Sequence, residues 1–198
     1  MSTHSKAFLA PEEYLEIERH AEIRSEYYQG ETFAMAGASE GHSILADNLV
    51  VAFRLKLRGG TCRSYSRDMR VRVSATGLDT YPDLVIACGE RKFLDENRDT
   101  LLNPTLIVEI LSPTTEAYDR GRKFSHYRTL ESLQEYLLVS QDRVQVECFQ
   151  RQSAGQWLLT AASRLEDVIC LDSVGCTIPL ADIYEDVVAK DDRAGGLV

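Results

Sequence analysis

Two carboxylates stand in segments whose other residues are strongly apolar. Asp83 immediately precedes the apolar run 84–88, and Glu109 is the one charged residue within the run 106–111. A buried charge without a partner is costly, so each carboxylate needs either a partner or a function. If the two runs are neighbouring strands, both side chains meet at one edge and can bind a hard divalent cation through oxygen. Such a cation polarises a phosphodiester and lowers the pKa of an attacking water.

A basic group follows these carboxylates along the chain. Lys123 lies 14 positions after Glu109 (123 − 109), with Arg120 one helical turn before it and Tyr127 one turn after it. A cation beside such a site stabilises the negative charge that develops in a phosphoryl transition state. Lys123 is therefore the candidate for that role. The same segment could instead be a solvated helix face, with Tyr127 a packing residue whose hydroxyl is hydrogen-bonded.

The elements that would hold the two carboxylates are strands. The runs 84–88 and 106–111 are almost continuously apolar, which is typical of central strands covered on both faces. Near the N-terminus, segments 25–28 and 31–35 flank Gln29-Gly30 and predict a β-hairpin. The other predicted strands are 67–73, 135–140, 144–150, 156–161 and 168–171.

Four helices are predicted around these strands. Pro11 suits a first helical turn and the glutamates after it complement the helix dipole, so a helix is expected from Pro11 to about Ala21. Ser39 can cap a second helix over 40–57, which carries an apolar stripe. The two other helical segments are 116–130 and 182–188.

The length of 198 residues fits one domain of ordinary size. We expect a single α/β (α+β) domain over residues 1–188, with a mixed sheet, and a flexible polar tail at 189–198. The chain holds five cysteines without CxxC spacing, so neither a disulfide framework nor a zinc site is expected. No apolar run is long enough for a signal peptide or a membrane span, which favours a cytoplasmic location.

The charge of the chain is uneven. The net charge is −9, which argues against a generally basic surface that coats nucleic acid. Residues 54–72 nevertheless carry seven basic side chains against one acidic, a local balance of +6 (7 − 1). This asymmetry permits local contact with phosphates and disfavours tight, non-specific DNA binding.

Four stretches carry a resemblance to a known family. They are SEYYQGE (25–31), His42, YPDLVIAC (81–88) and NPTLIVEILSPTTEAYDRGRKFSHYRTLESLQEYLLV (103–139). In this order they resemble the Uma-type family of proposed restriction endonucleases, within the PD-(D/E)XK nuclease superfamily, over about residues 7–188. The resemblance implies a restriction-endonuclease-like core, in which helices flank a mixed central β-sheet, together with an N-terminal helix and a β-hairpin.

The resemblance also implies roles for particular residues. Asp83 and Glu109 would be ligands of Mg²⁺ or Mn²⁺, and the backbone carbonyl of Ile110 would be an additional ligand. Glu26 matches a glutamate of the family's hairpin and would contact the metal or a water; it could also be an outward-facing strand residue. His42 matches the family's histidine near the start of the long helix, and it could also be a hydrogen-bonded core residue.

One position departs from the superfamily pattern. The usual lysine two residues after the glutamate is replaced by Leu111, and Lys123 on the following helix is the natural substitute. The leading hypothesis is a metal-dependent endonuclease that hydrolyses phosphodiester bonds in DNA. The alternative is a catalytically inactive nuclease-fold protein that serves as a nucleic-acid-binding or assembly module. A homodimer is compatible with either.

Overall fold

The apolar runs 84–88 and 106–111 are neighbouring strands at the centre of a six-stranded sheet. A computed structural model of the chain describes residues 8–35 and 37–187, so the predicted tail at 189–198 lies outside the described residues. The strands of this sheet, in spatial order, are β11 (Trp157–Ala162), β10 (Val146–Arg151), β9 (Glu135–Ser140), β8 (Leu106–Leu111), β6 (Leu84–Cys88) and β3 (Cys62–Ser66). The pair β8–β9 is parallel and the other pairs are antiparallel, which makes the sheet mixed.

Two smaller sheets complete the β-structure of the described residues. The first is five-stranded, in the order β2 (Glu31–Ala34), β1 (Ser25–Tyr28), β5 (Leu78–Thr80), β4 (Arg70–Val73) and β7 (Thr100–Leu101). The second pairs β12 (Val168–Leu171) with β13 (Cys176–Pro179). The predicted N-terminal hairpin is confirmed as β1 and β2. Strands β3, β5, β7 and β13 were not predicted, because they are short and lack a run of alternating apolar residues.

The helices flank the sheets. They are α1 (Pro11–His20), α2 (Glu40–Lys56), α3 (Glu116–Tyr118), α4 (Phe124–Tyr127) and α5 (Leu180–Ile183), with short 3₁₀ turns at Ser153–Gly155 and Asp172–Val174. The helix expected over 116–130 is confirmed in position, but a π-helical turn at Asp119–Lys123 interrupts it between α3 and α4. The short helix expected at 182–188 is instead Leu180–Ile183, so it begins two residues earlier, and residues 184–187 of the predicted range are not helical. No helix within the described residues is long and apolar enough to cross a membrane.

Alternation along the central strands divides the core into two layers. On β8, Leu106, Val108 and Ile110 lie in the layer that packs against the apolar stripe of α2. Ile107 and Leu111 point to the opposite face, where they join the layer that contains Tyr127 and Tyr136. Both faces are therefore buried, which explains the continuous apolar run. Glu109 lies between Ile107 and Leu111 on the second face, directly under the helical segment that carries Lys123.

Two polar side chains are buried against aromatic rings. Arg70, on the polar side of the predicted strand 67–73, is 2% exposed, and its guanidinium lies over the rings of Tyr14 and Tyr81. His126 is 8% exposed because it packs edge-on against the ring of Tyr28. In both cases an aromatic side chain that is distant in sequence covers the polar one.

The cysteines also depart from the expectation. Cys62 and Cys88 form a disulfide between β3 and β6, where the antiparallel register places the two residues directly opposite each other. The sequence gives no sign of this pairing, because 26 positions separate the two residues and the register depends on the whole sheet. Cys148, Cys170 and Cys176 are free thiols.

Candidate active site

The register of the central sheet brings Asp83 beside Glu109. Leu84 pairs with Val108 in the antiparallel ladder of β6 and β8. One step further along the same ladder, Asp83 stands opposite Glu109. The backbone N–H of Ile110 donates to Asp83 Oδ2 at 2.7 Å, which ties the aspartate directly to β8. The two carboxylates singled out from the sequence therefore lie side by side on the inner strands of the sheet, where β6 begins.

The second oxygen of Asp83 contacts His42. The Nε2 atom of His42 lies 3.0 Å from Asp83 Oδ1. His42 occupies the first turn of α2, where its backbone N–H donates to the side chain of the N-cap residue Ser39 at 3.2 Å. The structure thus places His42 against a site carboxylate, and not in the apolar core. The N-terminus of α2 fixes the ring and the ring orients Asp83.

Lys123 lies at the centre of a carboxylate cluster. Its Nζ atom is 2.9 Å from Glu109 Oε1 and 3.2 Å from Glu26 Oε1. Asp119 Oδ1 lies 3.7 Å away. The lysine side chain is only 7% exposed, so the interpretation as a solvated helix face is wrong. Glu26 faces this cluster from the hairpin, so it is not an outward-facing strand residue.

Asp119 was not identified from the sequence. It lies four positions before Lys123, a spacing that brings two side chains together on one helical face and was the available signal. The π-helical turn spans both residues, and Tyr136 donates to the backbone carbonyl of Asp119 at 3.1 Å. This bond satisfies a carbonyl in the irregular turn and anchors the turn to the central sheet.

Two hydroxyl groups donate hydrogen bonds to carboxylates of the cluster. Tyr127 is fully buried and donates to Glu109 Oε1 at 2.8 Å, so it is both a packing residue and a hydrogen-bond donor to the site. The hydroxyl of Thr80 donates to Glu26 Oε1. Thr80 was missed because its strand, β5, is three residues long. Since β5 pairs with β1, Thr80 also fixes the hairpin that carries Glu26.

Burial and opposite charge compete within the cluster. Burial raises the pKa of Glu109 to about 8, although the Lys123 ammonium acts in the opposite direction. Burial likewise raises the pKa of Asp119 above its ordinary value. For Lys123, burial alone would lower the pKa, but the carboxylates of Glu109, Glu26 and Asp119 raise it well above the ordinary value. The site is therefore a water-poor environment that stabilises positive charge.

The donor atoms fit a hard divalent cation in kind. Asp83, Glu109 and Glu26 offer carboxylate oxygens, the ligands preferred by Mg²⁺ and Mn²⁺. In residues 8–35 and 37–187, no three side chains of the His, Cys, Asp or Glu type are grouped closely enough to hold a metal ion. The positive charge in the cluster is instead the Lys123 ammonium, which bridges Glu26 and Glu109.

Two other sequence candidates lie outside the cluster. Arg120 donates to Glu116 Oε1 at 2.7 Å and also pairs with Glu147. Its guanidinium has no direct contact in the described residues with the carboxylates around Lys123. Leu111 occupies the position of the superfamily lysine and is buried in the same apolar layer as Tyr127. The cation that contacts Glu109 is instead Lys123, which reaches it from the helical segment above.

A second polar network holds the segment that precedes Asp83. The hydroxyl of Tyr81 donates to Glu18 Oε1 at 3.0 Å and accepts from Arg70 Nε at 2.9 Å. The same oxygen of Glu18 accepts the backbone N–H of Ser25 at 2.9 Å. Burial raises the pKa of Tyr81 to about 12, so its hydroxyl stays protonated at neutral pH. These bonds connect α1, the hairpin and the turn before Asp83.

Comparison with known proteins gives concordant results. A family profile described as "Uma2: Putative restriction endonuclease" matches residues 11–181. Two proteins of Synechocystis sp. are similar: the "Uncharacterized protein slr1290", 37% identical over 89% of this chain and 91% of its own length, and the "Uncharacterized protein sll1609", 38% identical over 77% and 86%. A crystal structure of "a putative nuclease belonging to DUF820" from Anabaena variabilis superimposes with a TM-score of 0.75. It covers 91% of this chain and 99% of its own, and at 18% identity it supports the fold.

Proposed function

Since the chain belongs to the Uma2 family of restriction-endonuclease-like proteins, we propose that it is a Mg²⁺- or Mn²⁺-dependent endonuclease that hydrolyses phosphodiester bonds in DNA. The observation that carries the proposal is the buried Lys123 ammonium held between Glu26 and Glu109, next to Asp83. A cation and several carboxylates that lie close together are the groups that phosphodiester hydrolysis requires.

Each group has a proposed part. Asp83, Glu109, Glu26 and the backbone carbonyl of Ile110 would hold the divalent ion once their oxygens close around it, because among the described residues no three such side chains are grouped closely enough for a metal ion. When bound, that ion supplies Lewis acidity and lowers the pKa of an attacking water. His42 keeps Asp83 oriented, because it fixes the oxygen that Ile110 does not.

Lys123 has the central role among the protein's own groups. Its high pKa keeps it charged at neutral pH, so it acts by orienting a nucleophile and by stabilising the negative charge of the transition state. It cannot act as a general base at neutral pH for the same reason. Tyr127 holds Glu109 Oε1 from the opposite side and limits the positions that carboxylate can adopt.

Plasmid nicking in the presence of Mn²⁺ or Mg²⁺ tests this function. Asp83→Asn preserves shape and removes a proposed ligand, and Lys123→Met removes the cation. Each should lower the rate by at least ~100-fold, because one such contact is worth about 3–4 kcal/mol in the transition state. Glu166→Gln is the matched control, because this glutamate is 76% exposed and outside the cluster. Equal nicking by the control and both site variants would disprove the assignment.

The inactive, binding-only alternative is favoured by one observation: the Lys123 ammonium pairs directly with two of the proposed metal ligands, Glu26 and Glu109. Thermal melting separates the two. A metal site predicts stabilisation of the wild type of about 2.7 kcal/mol at a hundredfold excess of Mn²⁺ over its Kd, and none for Asp83→Asn. Absence of both stabilisation and nicking would establish the alternative. The single domain over 1–188, a homodimer and a cytoplasmic location stay predictions.

A further inference from the structure

Four arginines follow the outer edge of the six-stranded sheet. They are Arg54 near the end of α2, Arg58 just after it, Arg63 on the edge strand β3, and Arg67 in the turn that follows β3. All four are exposed. We call this set the basic strip.

One end of the basic strip is a defined pocket. Arg54, Arg58 and Arg63 line a surface cavity together with Cys62 and Ser64. Arg63 is held in place, because its guanidinium donates to the backbone carbonyls of Gly60 and Cys62, at 2.7 Å each. The three arginines therefore line one surface cavity from two directions, the C-terminal end of α2 and the start of β3.

The other end of the basic strip lies at the level of the site. Ser66 pairs with Leu84, so Arg67 stands level with Asp83. Arg63 pairs with Ala87 further along the same ladder. At ~3.3 Å per residue, the four positions from Arg63 to Arg67 span about 13 Å. The strip thus runs along the sheet edge from the pocket towards the proposed active site.

The cations of the basic strip are not neutralised within the protein. In the part of the chain that the structure describes, none of the four arginines forms an ion pair, although the chain has a net charge of −9. The neighbouring Arg72, by contrast, pairs with Asp79 at 2.7 Å. The negative end of the helix dipole lies at the C-terminus of α2 and favours a cation in its last turn, which accounts for Arg54 but not for the other three arginines.

Two carboxylates lie near the basic strip. Asp68 follows Arg67 in sequence. Glu90 follows Gly89, whose N–H donates to Thr61 at 3.3 Å. Four cations against these two leave a net positive edge on an otherwise acidic protein.

We propose that the basic strip binds the sugar-phosphate backbone of the nucleic acid that flanks the scissile bond. This proposal rests on the proposed function, because it takes Asp83, beside which the strip ends, as part of the active site. Phosphates of one DNA strand are ~3.4 Å apart along the helix axis, so about 13 Å corresponds to about four of them. Guanidinium groups suit this partner because their paired N–H donors match two phosphate oxygens. An acidic protein is the competing partner.

Binding without metal tests the proposal separately from catalysis. Fluorescence anisotropy with a labelled DNA duplex in EDTA gives the Kd at several salt concentrations. The triple variant Arg54→Gln/Arg58→Gln/Arg63→Gln should bind at least ~10-fold more weakly. Its slope of log K against log salt should be less steep by about three, or about one for each phosphate contact. Arg67→Gln should reduce the slope by about one.

The control is a second triple variant of exposed arginines elsewhere: Arg128→Gln/Arg143→Gln/Arg164→Gln. An unchanged slope in the strip variant, an equal loss in the control, or equally tight binding of polyglutamate to the wild type would each overturn the proposal. The double variant Arg54→Gln/Arg58→Gln leaves the backbone contacts of Arg63 intact, so its weaker binding at an unchanged melting temperature supports the strip. Duplex RNA of the same sequence is measured in parallel, and a preference for RNA would overturn DNA as the partner.

The outcome of this experiment is distinguishable from that of the nicking assay. Asp83→Asn should bind DNA like the wild type and fail to cleave it, if both proposals hold. Salt-dependent binding through the strip without any nicking would contradict the proposed function alone. Nicking that survives loss of the strip with unchanged affinity would contradict the strip alone.

Discussion

Replacement of Lys123 by methionine isolates the energetic role of the buried ammonium. Methionine keeps a long, flexible, unbranched side chain and removes the ammonium, with its charge and its N–H donors. Glu109, Glu26 and Asp119 then lose a cation that lies 2.9 to 3.7 Å from their oxygens, in a site where the lysine is 7% exposed. Removal of one member of a buried ion pair costs about 3–5 kcal/mol, because the remaining charge is desolvated without compensation.

That cost is large enough to measure by thermal melting. For a chain of this size 1 kcal/mol corresponds to about 2–4 °C, so Lys123→Met should lower Tm by about 6–20 °C in EDTA. A divalent cation can replace the lost ammonium, so Mn²⁺ should raise the Tm of the variant more than that of the wild type. Lys92→Met is the control, since Lys92 is exposed.

Two results would refute this reasoning. A melting temperature of Lys123→Met within 2 °C of the wild type, equivalent to about 1 kcal/mol or less, would mean that the carboxylates do not depend on the ammonium. A large destabilisation that Mn²⁺ leaves unchanged would mean that the cluster cannot exchange one cation for another, which contradicts the proposed metal ligands.

Two further predictions concern stability. Because burial raises the pKa of Glu109 from its ordinary 4.5 to about 8, the folded state retains a proton that the unfolded state releases. The resulting stabilisation should be fully present below about pH 4.5 and lost as the pH rises through about 8. Denaturant titrations without metal should therefore show a free energy of unfolding that falls over this pH range in the wild type and falls less in Glu109→Gln. An identical pH profile of the two proteins would contradict the assignment. Tyr81→Phe should destabilise the protein by about 1–3 kcal/mol in urea unfolding, because Arg70 and Glu18 lose the hydroxyl that joins them. Tyr65→Phe is its control, because the Tyr65 hydroxyl makes no hydrogen bond within residues 8–35 and 37–187, and an equal effect of the two changes would show that the network carries no energy.

The sequence alone was sufficient to predict the site residues whose charge is unfavourable in an apolar segment. Asp83 and Glu109 stand out because each interrupts or precedes an apolar run, and the strands around them are the ones that periodicity predicts best. Lys123 followed from its distance to Glu109 and from the resemblance. The fold class, a mixed sheet flanked by helices with an N-terminal hairpin, is confirmed by the structure and by the DUF820 neighbour.

The parts that escaped prediction depend on contacts between distant segments. Thr80 reaches the site only because a three-residue strand pairs with the hairpin. The burial of Arg70 depends on the rings of Tyr14 and Tyr81, which belong to other segments of the chain. The disulfide of Cys62 with Cys88 follows from the register of β3 against β6, which no local pattern determines.

The π-helical turn makes the site sensitive to chain length as well as to chemistry. Such a turn holds an extra residue compared with an α-helical turn. Gly121 lies within it and is exposed, with open space around its Cα. In-frame loss of that single codon would restore regular helical spacing and would place Lys123 three positions after Asp119 instead of four, which changes the orientation of Lys123 relative to the residues before the turn. Every carboxylate and every core residue would survive the deletion, while the ammonium would leave its place between Glu26 and Glu109. A relative could therefore lose the ammonium from this cluster through a deletion of one residue, with Lys123 and every carboxylate still present in its sequence.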